Sequence, residues 1–198
     1  MNILTLKNKS IEALSSFAES CLSRPNIIAI LQIALASCLI GICAQIKIPL
    51  YFTPVPLTVQ TSCVMLVGAL LGSRKGALAV LCYLMQGWMG LPVWAGGAAG
   101  LPYFMGPTGG YLLALVAQAY LVGWFLERPS SQSLAKTIGI ILLSICLQLG
   151  LGSLWLAQYV GIQQCFMLGF YPFIFVEIAK SVLVAVYVKS RKDRRFNT

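Results

Sequence analysis

The chain has 198 residues, of which 59% are hydrophobic and only 10% are charged. Soluble domains carry about a quarter charged residues, so this composition excludes an ordinary soluble domain and indicates that lipid covers most of the surface. The formal net charge of +9 does not indicate nucleic-acid binding, because the sequence contains no polar domain that would display a basic patch.

Apolar runs divide the chain into predicted membrane spans. Because about 20 apolar residues cross the hydrocarbon core as a helix, the pattern predicts an all-α membrane protein with six transmembrane helices. The predicted spans are residues 27–46, 57–71, 77–90, 111–126, 134–159 and 170–188. The second and third are short, which indicates tilt or shielding by protein. A single re-entrant hairpin is the alternative, but its tip would place Arg74 and Lys75 in hydrocarbon, so two crossings are favoured.

The spans divide the sequence into three parts. Residues 1–26 are predicted to be a cytoplasmic or interfacial segment, since they mix charged and apolar residues and lack the continuous apolar core of a signal peptide. Residues 27–188 form the predicted six-helix substrate-binding domain. Residues 189–198 form a basic cytoplasmic tail, which suits contact with anionic lipid.

The distribution of basic residues predicts the orientation of the spans, because short cytoplasmic loops are enriched in Lys and Arg. With both termini in the cytoplasm, every basic residue except Lys47 and Lys180 lies on the cytoplasmic side. This N-in/C-in arrangement puts the connections at 53–56, 91–110 and 160–169 outside. All three are poor in charge, which favours capture of a half-apolar ligand on that face.

Residues 91–110 form the most unusual of these connections. They are rich in glycine and proline and contain no charge, which argues against a regular helix. Irregular apolar backbone is stable near a membrane only where it packs on protein or lines a cavity. Long loops of this kind are more often functional lids than simple connectors, so we expect a lid here.

Glu177 and Lys180 are the only charged residues well inside a predicted span. Three positions apart, they share one helix face and can pair. Ionisable groups within a membrane face the bundle interior or a cavity. A structural ion pair that fixes helix packing is one interpretation. The other is a polar clamp, in which Glu177 accepts N–H bonds and Lys180 donates to a carbonyl or carboxylate.

Gln60 is a further candidate, because it starts the second span just under the first outer loop. The other glutamines within the predicted spans are interpreted as hydrogen-bonded links between helices.

The sequence offers no set of catalytic residues. It has no histidine, no clustered carboxylates and no metal constellation, which argues against a lipid-modifying enzyme and against a metal cofactor. The pattern Gly-x4-Gly-Lys-Ser/Thr is absent, so no ATP site of that kind is expected. The seven cysteines show no C-x-x-C spacing and are interpreted as small buried hydrophobic residues.

Four motifs carry a resemblance to a known family. They are residues 44–49 (AQIKIP), 52–61 (FTPVPLTVQT), 90–97 (GLPVWAGG) and 106–112 (GPTGGYL). In this order they resemble the BioY family, the biotin-binding S components of energy-coupling factor (ECF) transporters. The resemblance covers most of residues 27–190.

The resemblance implies a six-helix S-component bundle in the cell membrane, with a biotin site near the outer face under the loops after helices one and three. Biotin would be the substrate rather than a cofactor, and the implied partners are a transmembrane coupling subunit and a pair of ATPases. The implied ligand-binding residues are Glu177, Lys180, Gln60, Thr53, Trp94, Gly96, Gly97, Thr108 and Tyr111. The implied contacts with the coupling subunit are Ala34 and Cys38, the latter standing where the family usually has alanine.

The sixth span departs from the family pattern. The family usually reads Pro-Gly-Asp where this sequence has Phe175, Val176 and Glu177, although Lys180 matches. Glutamate keeps the charge and adds a methylene group, so its carboxylate can still reach the ureido N–H groups of biotin. Loss of Pro-Gly predicts that the helix begins earlier and more regularly.

The sequence thus predicts a transmembrane subunit that binds biotin and mediates its uptake with an ECF coupling module. Two alternatives stay open: an S component for another vitamin, and a membrane assembly subunit that does not transport.

Overall fold

The computed structural model of the protein describes residues 24–128 and 133–196. Most of the predicted N-terminal segment, residues 1–26, therefore lies outside the described residues. Its last three positions belong to the first helix of the described part. The predicted basic tail begins inside the final helix, whose backbone continues to Phe196.

Helices make up nearly all of the regular structure, and two short strands join them. The elements in chain order are α1 (Arg24–Gln45), β1 (Lys47–Ile48), β2 (Leu57–Thr58), α2 (Gln60–Leu71), α3 (Ser73–Trp88), α4 (Gly100–Phe104), α5 (Gly109–Leu126), α6 (Leu134–Val160), α7 (Ile162–Gly169) and α8 (Tyr171–Phe196).

Four stretches of helix within the described residues are long and apolar enough to cross a membrane: Pro25–Gln45, Gly109–Leu126, Leu134–Val160 and Ile162–Arg191. Helices α2 and α3, with 12 and 16 residues, are shorter than these. Mostly helical structure with several apolar spans therefore agrees with the predicted class. The count of six spans and their N-in/C-in orientation stay predictions.

Three connections contain more helix than the sequence predicted. The turn expected at 72–76 shrinks to Gly72, and Arg74 and Lys75 lie in the first turn of α3. The connection at 160–169 is the short helix α7, and α4 lies within the 91–110 loop. Gly161 separates α7 from α6 with a φ of +84°, a conformation that glycine adopts without a steric penalty. One residue is thus enough to turn the chain where the sequence suggested a loop.

Two hydrophobic clusters of buried side chains hold the bundle together. One joins α1, α2, α3 and α5, and the other joins α5, α6 and α8 with Met65 of α2. Helices α2 and α5 approach each other closely, because a Cβ on Gly68 would collide with the backbone of Ala119. Helix α5 contributes to both clusters, so it is the central element of the fold.

The outer surface of the helices is apolar, as a lipid-facing surface should be. Leu35 of α1 is 71% exposed and Leu183 of α8 is 73% exposed. The cysteines are less buried than predicted: of the six described, Cys38, Cys82 and Cys146 are exposed, Cys43 is half-buried, and Cys63 and Cys165 are buried. The interpretation of the cysteines as buried residues was therefore wrong for the exposed three, which face the same environment as the exposed leucines.

The β-strands close the loop end of the bundle, at which α1 ends and α2 begins. They pair antiparallel, with Lys47 opposite Thr58 and Ile48 opposite Leu57. The Gln45 side chain fastens the following lid segment: its Nε2 donates to the carbonyls of Val93 and Trp94 at 3.1 and 3.2 Å. Its Oε1 accepts from the N–H of Gly97 at 2.8 Å. The segment 93–97 is thus attached to the end of α1.

Candidate ligand-binding site

A cavity opens under the loop end, between α2, α5, α6 and α8. It encloses about 570 Å³ of space between atoms, including the open solvent at its mouth. Its lining residues are Val55, Pro56, Leu57, Thr58, Gln60, Thr61, Ala95, Tyr103, Thr108, Tyr111, Leu112, Leu115, Gln148, Leu149, Phe173 and Glu177. The walls are largely apolar, with a few polar side chains, as in most sites for small molecules.

Glu177 is the one carboxylate on the cavity wall, and it is 3% exposed. Helix α8 places it one turn before Lys180, and the ammonium group of Lys180 forms an ion pair with its Oε1. The same oxygen accepts a hydrogen bond from Thr61 Oγ1 at 3.0 Å. The second oxygen, Oε2, is buried and has no partner among the described residues. The carboxylate is therefore fixed by one oxygen and free at the other.

Lys180 is not among the residues that line the cavity. Besides its ion pair with Glu177, its Nζ donates to the carbonyl of Thr58 at 2.9 Å and to Thr61 Oγ1 at 2.7 Å. A lysine ammonium has three N–H groups, so these three partners account for all of them. Lys180 thus neutralises and orients Glu177, and ties α8 to β2 and α2.

Two glutamines bring further free polar atoms to the cavity. Gln60 and Gln148 are 5% and 3% exposed. Nε2 of Gln60 and Oε1 of Gln148 have no hydrogen-bond partner among the described residues. Buried polar groups without a partner are uncommon because they cost about 1–3 kcal/mol each. Their convergence on one cavity with Glu177 Oε2 indicates that a ligand completes their hydrogen bonding.

Thr108 and Tyr111 lie where the lid meets the first turn of α5, and both line the cavity. The hydroxyl of Tyr111 donates to the carbonyl of Gly169 at 2.9 Å, and Ser153 Oγ lies 3.3 Å from it. Tyr111 therefore contributes its ring face to the wall, while its hydroxyl joins α5 to the end of α7.

The lid above the cavity is held by packing. Trp94 is fully buried, with its ring 5.7 Å from that of Tyr103 between centroids, and it packs on Gly87 of α3. Its backbone N–H donates to the carbonyl of Ala98 at 3.0 Å. This anchor places Ala95 and Tyr103 on the cavity wall.

The structure thus brings four of the nine predicted ligand-binding residues to the cavity wall: Gln60, Thr108, Tyr111 and Glu177. The other five do not line the cavity themselves. Lys180 supports Glu177, Trp94 anchors the lid, and Gly96 and Gly97 form the turn of the lid. Thr53 accepts a hydrogen bond from the N–H of Val55 at 3.4 Å, which shapes the first outer loop. A direct binding role for all nine stays a prediction.

Four residues of the site with polar side-chain groups were not predicted: Thr58, Thr61, Tyr103 and Gln148. Thr58 and Thr61 belong to the quoted 52–61 motif, so their place beside Gln60 was a usable signal. Gln148 gave no such signal, because nothing local in the sequence distinguishes it from Gln118. Gln118 is also fully buried, with both amide atoms unpartnered, but it does not line the cavity.

The predicted partner contacts lie elsewhere. Ala34 and Cys38 are both exposed on α1, away from the cavity lining. An exposed face is compatible with a docking role, which stays a prediction.

Comparison with known proteins identifies the family. The sequence model of the BioY family matches residues 15–196. The chain belongs to the BioY family. With four helical stretches that are long and apolar enough to cross a bilayer among its described residues, this BioY chain is a multi-pass membrane protein.

Curated BioY relatives match most of the chain. It is 37% identical over 157 residues to biotin transporter BioY2 of Lactococcus lactis, covering 78% of this chain and 85% of that protein. It is 35% identical over 154 residues to a probable biotin transporter BioY of Pyrococcus horikoshii, covering 78% and 90%. It is 35% identical over 157 residues to biotin transporter BioY of Thermotoga maritima, covering 79% and 91%.

A solved structure shares the fold. The chain superimposes on the crystal structure of the S-component for biotin from an ECF-type ABC transporter with a TM-score of 0.79 and 28% sequence identity. The match covers 86% of this chain and 94% of that one. The BioY chain therefore has the ECF S-component fold.

Proposed function

We propose that this chain is the biotin-binding membrane subunit of an ECF-type uptake system, and that biotin binds in the cavity lined by Glu177. The observation that carries the proposal is the buried, half-satisfied carboxylate of Glu177 at the wall of an apolar cavity. It occurs in a BioY family chain with the fold of a biotin S component.

The chemistry of the cavity suits the head of biotin. A ureido ring presents two N–H donors and one carbonyl acceptor in a plane. Glu177 Oε2, when ionised, can only accept, so it would take one N–H. The amides of Gln60 and Gln148 each carry donors and an acceptor, and would serve the second N–H and the carbonyl. Leu112, Leu115 and Phe173 offer apolar surface for the thioether ring and the acyl chain.

The fixed carboxylate oxygen explains how Glu177 would replace the family aspartate. Because Lys180 and Thr61 both hold Oε1, the longer glutamate side chain is locked rather than free to rotate. Helix α8 runs without a break from Tyr171, as the absence of Pro-Gly predicted. The site would thus keep the carboxylate charge and its orientation, although a regular helix carries the side chain in place of the family's Pro-Gly segment.

We propose further that the bundle has six spans with both termini in the cytoplasm. In this arrangement the cavity, the lid and the β-strand pair lie on the outer side, where an imported ligand arrives. The sequence contains no Gly-x4-Gly-Lys-Ser/Thr motif, so the energy for uptake would come from a transmembrane coupling subunit with paired ATPases. The exposed face of α1 around Ala34 and Cys38 would meet that subunit.

Equilibrium binding tests the proposal. The purified chain in lipid nanodiscs is titrated with labelled biotin, and competed with desthiobiotin, thiamine and riboflavin. We expect saturable binding that desthiobiotin displaces and the other two vitamins do not, because only desthiobiotin shares the ureido ring. Displacement by another vitamin instead, or no saturable binding, would reject biotin as the ligand.

Transport is tested separately. Cells that cannot synthesise biotin are supplied with the chain alone or with an ECF coupling module, and uptake of labelled biotin is measured. We expect uptake to rise when the module is present and to depend on its ATPases. Equal uptake with an ATPase-deficient module would contradict the proposed dependence on the coupling module.

A further inference from the structure

The acyl chain of biotin ends in a carboxylate, and among the described residues the cavity wall carries no lysine or arginine to receive it. Glu177 and Lys180 neutralise each other, and the three N–H groups of Lys180 already have partners. An anionic tail therefore has no counter-charge inside the cavity. Its counter-charge must come from the mouth.

Most basic side chains of the described part lie at the end of the bundle that is opposite the cavity. The cavity lies near the first turns of α2, α5 and α8. Six basic residues lie near the opposite end of these helices or on the elements next to that end. They are Arg74, Lys75, Arg128, Lys136, Lys189 and Arg191. Apart from Lys180, Lys47 is the remaining basic residue whose side chain the structure describes, and it lies at the loop end.

Two contacts place Lys47 beside the mouth. In the β-pair it lies opposite Thr58, which lines the cavity, and opposite residues in antiparallel strands point to the same face about 5 Å apart. Its side chain crosses Gly96, the neighbour of the cavity-lining Ala95; a Cβ on Gly96 would collide with Lys47 Nζ. The ammonium group thus lies between a strand and a lid segment that both form the wall.

The state of Lys47 also fits a role in binding. It is exposed, and its side chain makes no hydrogen bond or ion pair with any other described residue. Gly96 has a φ of +71°, so glycine both permits the turn and leaves room for the lysine side chain to pass. The lid is shaped around this side chain.

We propose that Lys47 binds the terminal carboxylate of the ligand at the mouth of the cavity. The proposal rests on the proposed function and extends it. Glu177 and the two glutamines select a neutral polar head, and Lys47 selects an anionic tail at the other end of an acyl chain. The ligand class is then a neutral cyclic urea with an acyl chain that ends in an acid.

The test is a two-by-two binding experiment. Parent and Lys47→Gln chains in nanodiscs are titrated with biotin and with biotinol, in which a CH2OH group replaces the carboxylate. We expect Lys47→Gln to lower the affinity for biotin about 10- to 100-fold, as for loss of a charge-assisted hydrogen bond. Its affinity for biotinol should equal that of the parent within about 2-fold, the scatter of such a titration.

Two further variants serve as controls. Lys75→Gln makes the same charge change at the other end of the bundle and should leave both affinities unchanged. Lys47→Arg keeps the cation and should keep the preference for biotin over biotinol. Because biotinol binding reports an intact head site, it also shows that Lys47→Gln is folded.

The outcomes separate the two proposals. If Lys47→Gln binds biotin as tightly as the parent, or loses biotin and biotinol equally, the tail site is wrong while the biotin function stands. If the parent binds neither compound, the proposed function itself is wrong, and the proposed carboxylate site at Lys47 is wrong as well.

Discussion

Two glutamates at opposite ends of the bundle show how the same side chain serves two purposes. Glu127 follows the last turn of α5, and both of its carboxylate oxygens are satisfied by Ser73 at the start of α3. Its Oε1 accepts the N–H of Ser73 at 2.7 Å. Glu177 lies at the loop end, with Oε1 held by Lys180 and Thr61 and with no partner for Oε2 in the described part of the chain.

The difference separates a structural carboxylate from the one that we propose binds the ligand. Glu127 completes the hydrogen bonding of a helix end, where the first N–H groups have no partner within the helix. Glu177 is more costly to bury and less completely satisfied among the described residues, and it lines a cavity. A buried polar atom that the fold leaves free in a cavity indicates a ligand, whereas a fully paired one indicates packing.

The largest expected effect comes from the Glu177 end. Glu177→Gln should lower biotin affinity about 10- to 100-fold, because hydrogen bonds to charged groups contribute about 1.5–3 kcal/mol. It should also reduce the free energy of unfolding by about 3–5 kcal/mol, since Lys180 keeps its charge without a carboxylate. Labelled-biotin titration and thermal melting in detergent measure the two effects.

A double variant separates binding from stability at this site. In Glu177→Gln with Lys180→Met, the uncompensated charge is gone, so the melting temperature should recover while biotin affinity stays low. Recovery of both would show that Glu177 acts only as a structural ion pair.

A matched pair of glutamines extends the comparison, with an expected loss of biotin affinity of intermediate size. Gln148 lines the cavity and Gln118 does not, although both are buried and incompletely hydrogen-bonded. Gln148→Leu should lower biotin affinity about 2- to 10-fold, the net contribution of one hydrogen bond. Gln118→Leu should leave affinity unchanged and raise the melting temperature, because it removes an unpartnered amide. An equal loss of affinity in both variants would show that Gln148 contributes to helix packing and not to ligand binding.

The smallest effect is expected at the Glu127 end. Glu127→Gln keeps the shape and weakens the bond to the N–H of Ser73, so the free energy of unfolding should fall by about 1 kcal/mol, as for loss of a helix cap. This corresponds to a decrease of about 2–4 °C in melting temperature. Biotin affinity should not change. A clear loss of affinity would show that the two ends of the bundle are coupled.

Much of the fold was predictable because lipid exposure imposes long apolar runs. The predicted spans at 27–46, 111–126 and 134–159 agree with α1, α5 and α6 within a few residues. The β-pair and the helices α4 and α7 were not predicted. They depend on contacts between distant segments, or on a single glycine such as Gly161, and leave no periodic pattern.

The candidate site was predictable where its geometry is local. Glu177 and Lys180 are three residues apart on one helix, so their ion pair follows from helix geometry. The predicted donation from Lys180 to a ligand stays a prediction; in the structure its donors go to Thr58 and Thr61, which lie 122 and 119 residues earlier in the chain. Only the packing of α8 on α2 shows that this lysine is occupied.

The structure of the chain with biotin bound tests the central claim most directly. The account predicts the ureido ring in the cavity, with one N–H within about 3 Å of Glu177 Oε2, the usual length of such a hydrogen bond. A bound biotin whose ring lies outside the cavity, or inside it without a hydrogen bond to Glu177, would contradict the account.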